Sequence, residues 1–217
     1  LQAVHLFGRP GKRLYPGHHH RRRADHAVGG RAVPVAGPQE APARPDGPRG
    51  LEETAYSLDY QGVRFVMLNG NEKIEEQAKW LDRVLTENPQ RWTIAAIHQP
   101  VFSTAKYRNE STLRNQLLPI FDKHSVDLVL QGHDHTYSRS YRIKSSARTG
   151  DDAKGTVYVI SVSGPKVYQV ETRYEGLMAR IEAGRQLFQV IRVDDNRLFY
   201  ESFDVKGDLF DSFTLEK

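Results

Sequence analysis

Val126-Asp127-Leu128-Val129-Leu130-Gln131-Gly132-His133-Asp134-His135-Thr136-Tyr137 decides the fold class. An apolar run of strand length ends in a glycine and then presents two histidines one residue apart. A short run that is apolar almost throughout fits a strand buried on both faces of a parallel sheet. The glycine is expected to permit a sharp exit from that strand, so that the imidazoles point into a shared cavity. Neutral imidazole is the commonest side-chain metal ligand, and zinc and iron accept it readily. A lone His-x-His says little by itself. It gains weight because a third histidine, His98, ends a second apolar run, Trp92-Thr93-Ile94-Ala95-Ala96-Ile97, and is followed by Gln99-Pro100.

Outward from these two runs the periodicity alternates between strand and helix. Residues 111–124 predict a helix with Leu113, Leu117, Ile120 and Phe121 inward. Residues 73–87 predict another, with Ile74, Ala78, Leu81 and Leu85 on one face and Asn88-Pro89 ending it. Upstream, residues 54–60 and 63–68 read as strands around a Gln61-Gly62 turn. This alternation implies parallel strands with right-handed crossovers. After Tyr141, residues 156–162, 187–193, 197–203 and 209–215 are strand-like, with Asp194-Asp195-Asn196 and Lys206-Gly207-Asp208 as turns, which implies an antiparallel meander completing a sheet. Residues 166–185 read as an irregular connection. Trp80 and Trp92 are expected in the core or at its rim.

Composition sets outer bounds. A chain of 217 residues is long enough for one domain with a real core. It contains no cysteine, so any metal must be held by nitrogen and oxygen ligands. No apolar run approaches the length of a membrane span, and the N-terminus lacks the apolar core of a signal peptide. The net charge of +4 is local: residues 1–50 hold nine Lys and Arg against three Asp and Glu, and the remainder is mildly acidic. No specific nucleic-acid partner is therefore expected for the globular part. The first 50 residues also hold seven of the eleven prolines, eight of the seventeen glycines and only two aromatics. Such a stretch cannot bury enough apolar surface to offset chain entropy, so residues 1–44 are expected to be disordered or loosely attached. His18-His19-His20 beside Arg21-Arg22-Arg23 reads as a solvated tail.

In an open α/β sheet, ligands bind outside the carboxyl ends of the strands. His98 and the His133/His135 pair fall there, on consecutive parallel strands. Three imidazoles suit one catalytic metal with an open position. They equally suit part of a two-metal site that still needs bridging carboxylates.

His98-Gln99-Pro100-Val101-Phe102-Ser103, followed by Gly132-His133-Asp134-His135-Thr136-Tyr137-Ser138-Arg139-Ser140, resembles the last two metal motifs of the calcineurin-like metallophosphoesterases. The Tyr-x-Arg-Ser tail is similar to the purple acid phosphatase branch. Residues 50–54, 63–69 and 155–165 agree with it, and the likeness covers residues 45–217. The resemblance implies the C-terminal part of a four-layer α/β/β/α sandwich with mixed sheets. It implies a metal-dependent phosphoester hydrolase with two divalent or trivalent ions (Fe, Zn or Mn) that activate water. His98 and His133 would hold one ion and His135 the other, with no catalytic group beyond the ligands. Asp134, Tyr137 and Arg139 would lie outside the ligand set, as orienting or packing groups. The partner is a phosphoester substrate, with no membrane; the oligomeric state is not legible. The resemblance also hints at export.

The same comparison exposes a gap. The family's early Asp-x-His, its Gly-Asp pair with the bridging aspartate, and its Gly-Asn-His-Glu are all missing from residues 1–50. Asp25-His26 lacks the spacing, and Gly70-Asn71-Glu72 lacks the histidine and reads as a strand-to-helix turn. The second reading of the chain is therefore a catalytically inactive, truncated remnant that binds metal weakly, with an incomplete sandwich and part of its core uncovered. Residues 1–44 are rich in Arg, Pro, Gly and Ala, as GC-rich DNA yields when read out of frame. Translation of the encoding DNA in its other two frames is expected to reveal Gly-Asn-His-Glu or Gly-Asp shortly upstream of residue 45. If neither frame contains them, the frame explanation is wrong.

Overall fold

Two strand–helix–strand units frame the structure, a computed structural model that describes residues 4–7, 46–150 and 154–217. In chain order the strands are β1 (Val4–Phe7), β2 (Tyr56–Tyr60), β3 (Val63–Leu68), β4 (Trp92–Ile97), β5 (Leu128–Gln131), β6 (Thr136–Ser140), β7 (Ile143–Lys144), β8 (Ala147–Arg148), β9 (Val157–Ile160), β10 (Met178–Ala183), β11 (Leu187–Val193), β12 (Arg197–Asp204) and β13 (Leu209–Glu216). Helix α1 (Ile74–Thr86) joins β3 to β4, and α2 (Ser111–His124) joins β4 to β5. A seven-stranded sheet runs β10-β6-β9-β5-β4-β3-β2, and a four-stranded sheet runs β1-β11-β12-β13. The β3, β4, β5 and β9 strands are parallel, and β2, β6 and β10 attach antiparallel at the two sides, so the large sheet is mixed.

Side-chain alternation divides the core in two. On one face of the large sheet, Val66, Ala95, Ile97, Val129 and Tyr158 pack against Ala78, Leu81, Val84 and Leu85 of α1 and Leu113, Leu117 and Phe121 of α2. On the other face, Phe65, Trp92, Ile94, Leu128, Tyr137 and Val159 meet Leu187, Ile191, Leu198, Tyr200 and Leu215 of the small sheet. The described residues thus form helix, sheet and sheet layers, three of the four layers of the α/β/β/α sandwich. Both tryptophans are buried; the Trp92 indole N–H donates to the Asp194 carbonyl at 3.0 Å and ties the sheets together.

The elements depart from the sequence expectation at four places. Val4–Phe7 forms a strand, parallel to β11, although nothing before Leu51 was expected to be ordered. The rest of residues 1–44, including the histidine and arginine runs, lies outside the described residues. β9 was assigned to the antiparallel meander, but its all-buried Val-Tyr-Val-Ile pairs parallel with β5 instead. β10 emerges from the stretch read as irregular, and β6 from the polar tail of the histidine motif.

β6 is polar in composition yet almost wholly buried, because Thr136, Tyr137, Arg139 and Ser140 each find a partner. Its Tyr137 hydroxyl donates to Asp211 Oδ2 at 2.7 Å, and Arg139 grips the same carboxylate with Nε at 2.7 Å and Nη2 at 3.1 Å. This joint crosses from the large sheet to β13. Burial by itself pushes the Asp211 carboxyl up, but the hydrogen bonds from Arg139 and Tyr137, with the nearby guanidinium charges, outweigh it and hold the group below its ordinary 3.8. The stabilisation is therefore present above that value and is lost as pH falls through the lower folded value. Asp211→Asn is expected to cost about 3 kcal/mol at neutral pH, because it strands a buried guanidinium. It is also expected to flatten the acid limb of the stability curve below about pH 4, measured by urea unfolding across pH.

Candidate metal centre

Strand adjacency brings the histidines together. β4 and β5 run parallel with Ala96 opposite Leu130, and the Gly132 amide continues the ladder to the His98 carbonyl at 3.0 Å. His98 and His133 therefore leave neighbouring strands at the same level. Their rings meet edge to face with centroids 4.9 Å apart, and His133 Nδ1 lies 3.0 Å from His98 Nε2.

The exit from β5 does not depend on Gly132. The residue with left-handed backbone is His133, at φ 64°, a conformation that L side chains adopt only at a cost. The Asp134 amide bonds the Gly132 carbonyl at 2.7 Å, and the Thr136 amide bonds the Asp134 carbonyl at 2.6 Å. Two tight three-residue turns thus follow each other around His133 and His135. A Cβ on Gly132 would sit 3.6 Å from His98 Nδ1, an ordinary contact. The tighter glycine is Gly70, where a Cβ would fall 1.9 Å from Gln99 Oε1 and force that side chain to move. Gln99 in turn donates to Asn71 at 2.6 Å, so Gly70-Asn71-Glu72 is a strand-to-helix turn packed under the residue after His98.

Asp134 faces away from both imidazoles. It is 1% exposed and accepts from the Ser103 hydroxyl at 2.6 Å and from the Thr104 and Ala105 amides at 3.0 and 3.3 Å. It therefore clamps the loop that follows His98. Tyr137 and Arg139 reach Asp211 between the sheets, so they are packing groups remote from the histidines.

His135 lines the same cleft as His98 and His133, a cavity of about 820 Å³ floored by Phe65, Met67, Ile94, Ala96 and Leu130. Its ring lies 4.7 Å from that of Tyr168, and its Nδ1 is buried without a hydrogen-bond partner. Those apolar floor positions belong to the inter-sheet face, so the core is open at the carboxyl ends of the strands. Sequence reading missed two further groups at this mouth. Arg108, from the loop between β4 and α2, contacts His133 Nε2 and donates to the Tyr168 hydroxyl at 3.3 Å. Tyr168, whose amide bonds the His135 carbonyl at 3.2 Å, has its phenol pulled below the usual range by Lys166 and Arg108. Neither carries a local signal, because only the fold closes their loops over the histidines.

Burial, helped by Arg108 and His98, holds the His133 imidazole below its ordinary 6.5. Imidazoles suit a borderline divalent ion, and the His135 Nδ1 is buried without a hydrogen-bond partner. The fit is partial: among the described residues no group of three or more His, Asp or Glu converges as a metal-binding cluster, and Asp134 spends one carboxylate oxygen on the Ser103 hydroxyl and the Thr104 and Ala105 amides.

Comparison with known proteins agrees with this geometry. The calcineurin-like phosphoesterase family model matches residues 36–137, which include His98, His133 and His135. Over this stretch the chain resembles the calcineurin-like phosphoesterases. Its relatives lie on the purple acid phosphatase-like branch. It is 31% identical over 117 residues to purple acid phosphatase 15 of Arabidopsis thaliana, covering 50% of this chain and 21% of that protein. Purple acid phosphatase of Glycine max is 35% identical over 102 residues, covering 42% and 22%. An uncharacterized protein of Mycobacterium tuberculosis is 33% identical over 110 residues, covering 41% and 21%. The matched stretch thus spans about a fifth of the length of these relatives. Among solved structures, purple acid phosphatase PPD1 of yellow lupin superposes with a TM-score of 0.68 at 22% identity, over 77% of this chain and 33% of that one. PhoD superposes with a TM-score of 0.54 at 10% identity, over 75% and 42%. Both share the fold. The family match begins at residue 36, ahead of the boundary expected at residue 45.

Asp134 and Gly132 are expected to differ in sensitivity. Asp134→Ala leaves a hydroxyl and two amides of the loop without their acceptor and is expected to cost about 3 kcal/mol. Gly132→Ala is expected to cost less than about 1 kcal/mol. Denaturant unfolding of the two variants checks both values.

Proposed function

We propose that the chain supplies the histidine half of a metal-dependent phosphoester hydrolase site, with residues 45–217 as the C-terminal part of the catalytic domain, to which Val4–Phe7 adds an edge strand. The carrying observation is that His98 and His133 meet at 3.0 Å at the carboxyl ends of adjacent parallel strands, with His135 on the same cleft. In this reading the three imidazoles are metal ligands, and two divalent or trivalent ions (Fe, Zn or Mn) supply positive charge for phosphate oxygens and a water of lowered pKa. The chain's own contribution is positional. The β4–β5 ladder sets the ring spacing, and the clamp of Asp134 fixes the loop bearing Arg108. The Tyr168 ring backs His135. Arg108, Lys166 and Tyr168 surround the mouth with donors suited to an anionic phosphoester. The relatives named as purple acid phosphatases support this substrate class and, with it, an exported setting.

A second reading has its own support. Asp134 spends one carboxylate oxygen on the loop after His98, and among the described residues no group of three or more His, Asp or Glu converges as a metal-binding cluster, which favours an inactive remnant with weak metal affinity. One experiment separates the two. The purified chain, loaded in turn with Fe, Zn or Mn, is expected to hydrolyse an aryl phosphate. His135→Ala is expected to lower the rate by at least about a hundredfold while the fold persists by circular dichroism. No turnover, with less than one tightly held ion per chain by elemental analysis, establishes the remnant.

A further inference from the structure

Three arginines line a second cavity, separate from the histidine cleft. Its volume is about 490 Å³, and Arg114, Arg148 and Arg173 reach it from α2, from the β7–β8 hairpin and from the segment before β10. Phe102, Tyr174 and Leu177 supply aromatic and aliphatic surface between them. Among the described residues, no Asp or Glu lines it.

The arginines are oriented mainly by uncharged groups. Arg114 donates through Nη1 to the Val101 carbonyl at 3.3 Å and to the Asn109 side-chain oxygen at 3.1 Å, and its guanidinium lies 5.5 Å from the Tyr174 ring centre. Arg173 donates to the Arg108 carbonyl at 3.5 Å, and the Glu171 carboxylate stands 4.0 Å from its Nη2. Arg148 lies 3.4 Å over the Tyr141 ring. A guanidinium has more N–H donors than the contacts of Arg114 and Arg173 use. The Tyr174 ring is itself fixed, edge to face with Phe102 at 5.4 Å and bonded through its hydroxyl to Asn109 at 3.3 Å. Like charges around one depression raise its potential and concentrate anions there. A cavity of this size with apolar walls and a few placed charges has the make-up of a small-molecule site.

We propose that this cavity binds an organic anion with an aromatic or aliphatic body and at least two acidic groups. The body rests on Tyr174 and Leu177, and the acidic groups pair with the guanidiniums. The proposal does not depend on the histidines being metal ligands. The two places share one loop, because Arg173 and Tyr174 hold Arg108 and Asn109 from the cavity side while the Arg108 side chain touches His133.

Calorimetry of the purified full chain with naphthalenedisulfonate tests it, beside the singly charged naphthalenesulfonate. One disulfonate per chain is expected, bound about tenfold more tightly than the monosulfonate, since a second charge-assisted contact is added. Arg114→Met and Arg173→Met are each expected to weaken the disulfonate about tenfold, and Arg173→Lys to lose less. Lys166→Met, at the histidine cleft, is expected to leave it unchanged. Gly176→Glu leaves every arginine in place. Gly176 lines the cavity, has no positive φ, and a Cβ there meets nothing within 4 Å, so the fold has room for the change. Its carboxylate is expected to occupy the guanidiniums, abolish disulfonate binding and raise Tm above that of Gly176→Gln. Binding that survives both methionine variants, or that survives Gly176→Glu, lies elsewhere and overturns the proposal. No binding by the unaltered chain, or a disulfonate held no tighter than the monosulfonate, overturns it as well.

Discussion

A buried carboxylate braces the carboxyl edge of this sheet. Asp134 sits between the two histidines of its motif but gives its charge to the Ser103 hydroxyl and to the Thr104 and Ala105 amides. A desolvated carboxylate is tolerated only where several donors converge on it. The chain meets that demand by folding the loop after His98 back across the loop after β5. The β4–β5 ladder sets the spacing of His98 and His133, and this carboxylate fixes the loop that leads from His98 past Arg108 toward α2.

Period-two alternation then explains why polar residues line a buried strand. Beyond the turns, Thr136, Ser138 and Ser140 share one face of β6, where Thr136 meets the Thr104 hydroxyl at 3.0 Å and Ser140 accepts the Tyr158 amide at 2.8 Å. Tyr137 and Arg139 share the other face and cross to Asp211. One strand thus fastens the histidine edge to the loop after His98, to β9 and to the small sheet. Because these hydroxyls and charges are paired, burying them costs little, whereas burying any one unpaired would cost more than a typical apolar contact returns.

The parts of the fold legible in the sequence were those written in apolar periodicity. The two helices, β3, β4 and β11 appear where Leu, Ile, Val and Trp recur at helical spacing or in short runs, and the ordering of strands and helices fixed the parallel centre. What escaped was polar. The pattern of β6 was hidden because its partners, Asp211 and Thr104, are 72 and 32 residues away in sequence. The meander of β11 to β13 was legible, but nothing in the all-apolar β9 says which sheet it joins. At the site, three histidines were recognisable by residue type and by position at strand ends. Arg108 and Tyr168 were not, since an arginine and a tyrosine in polar loops acquire meaning only when those loops converge. The glycine of the motif drew attention that belonged to the strained His133.

The cleft beneath the histidines and the composition of the chain pull in the same direction. Its floor of Phe65, Met67, Ile94, Ala96 and Leu130 is continuous with the inter-sheet core, so the described residues leave apolar surface uncovered beside the site. In a sandwich the second sheet closes such a face, and here β1, at the free edge of that sheet, is the one described strand from the segment before residue 45. The same region is where the family's carboxylate motifs are absent from the sequence. Among the described residues, the one guanidinium that touches the histidine pair, that of Arg108, comes from the loop that Asp134 holds, so the brace under the site also governs what stands at its mouth.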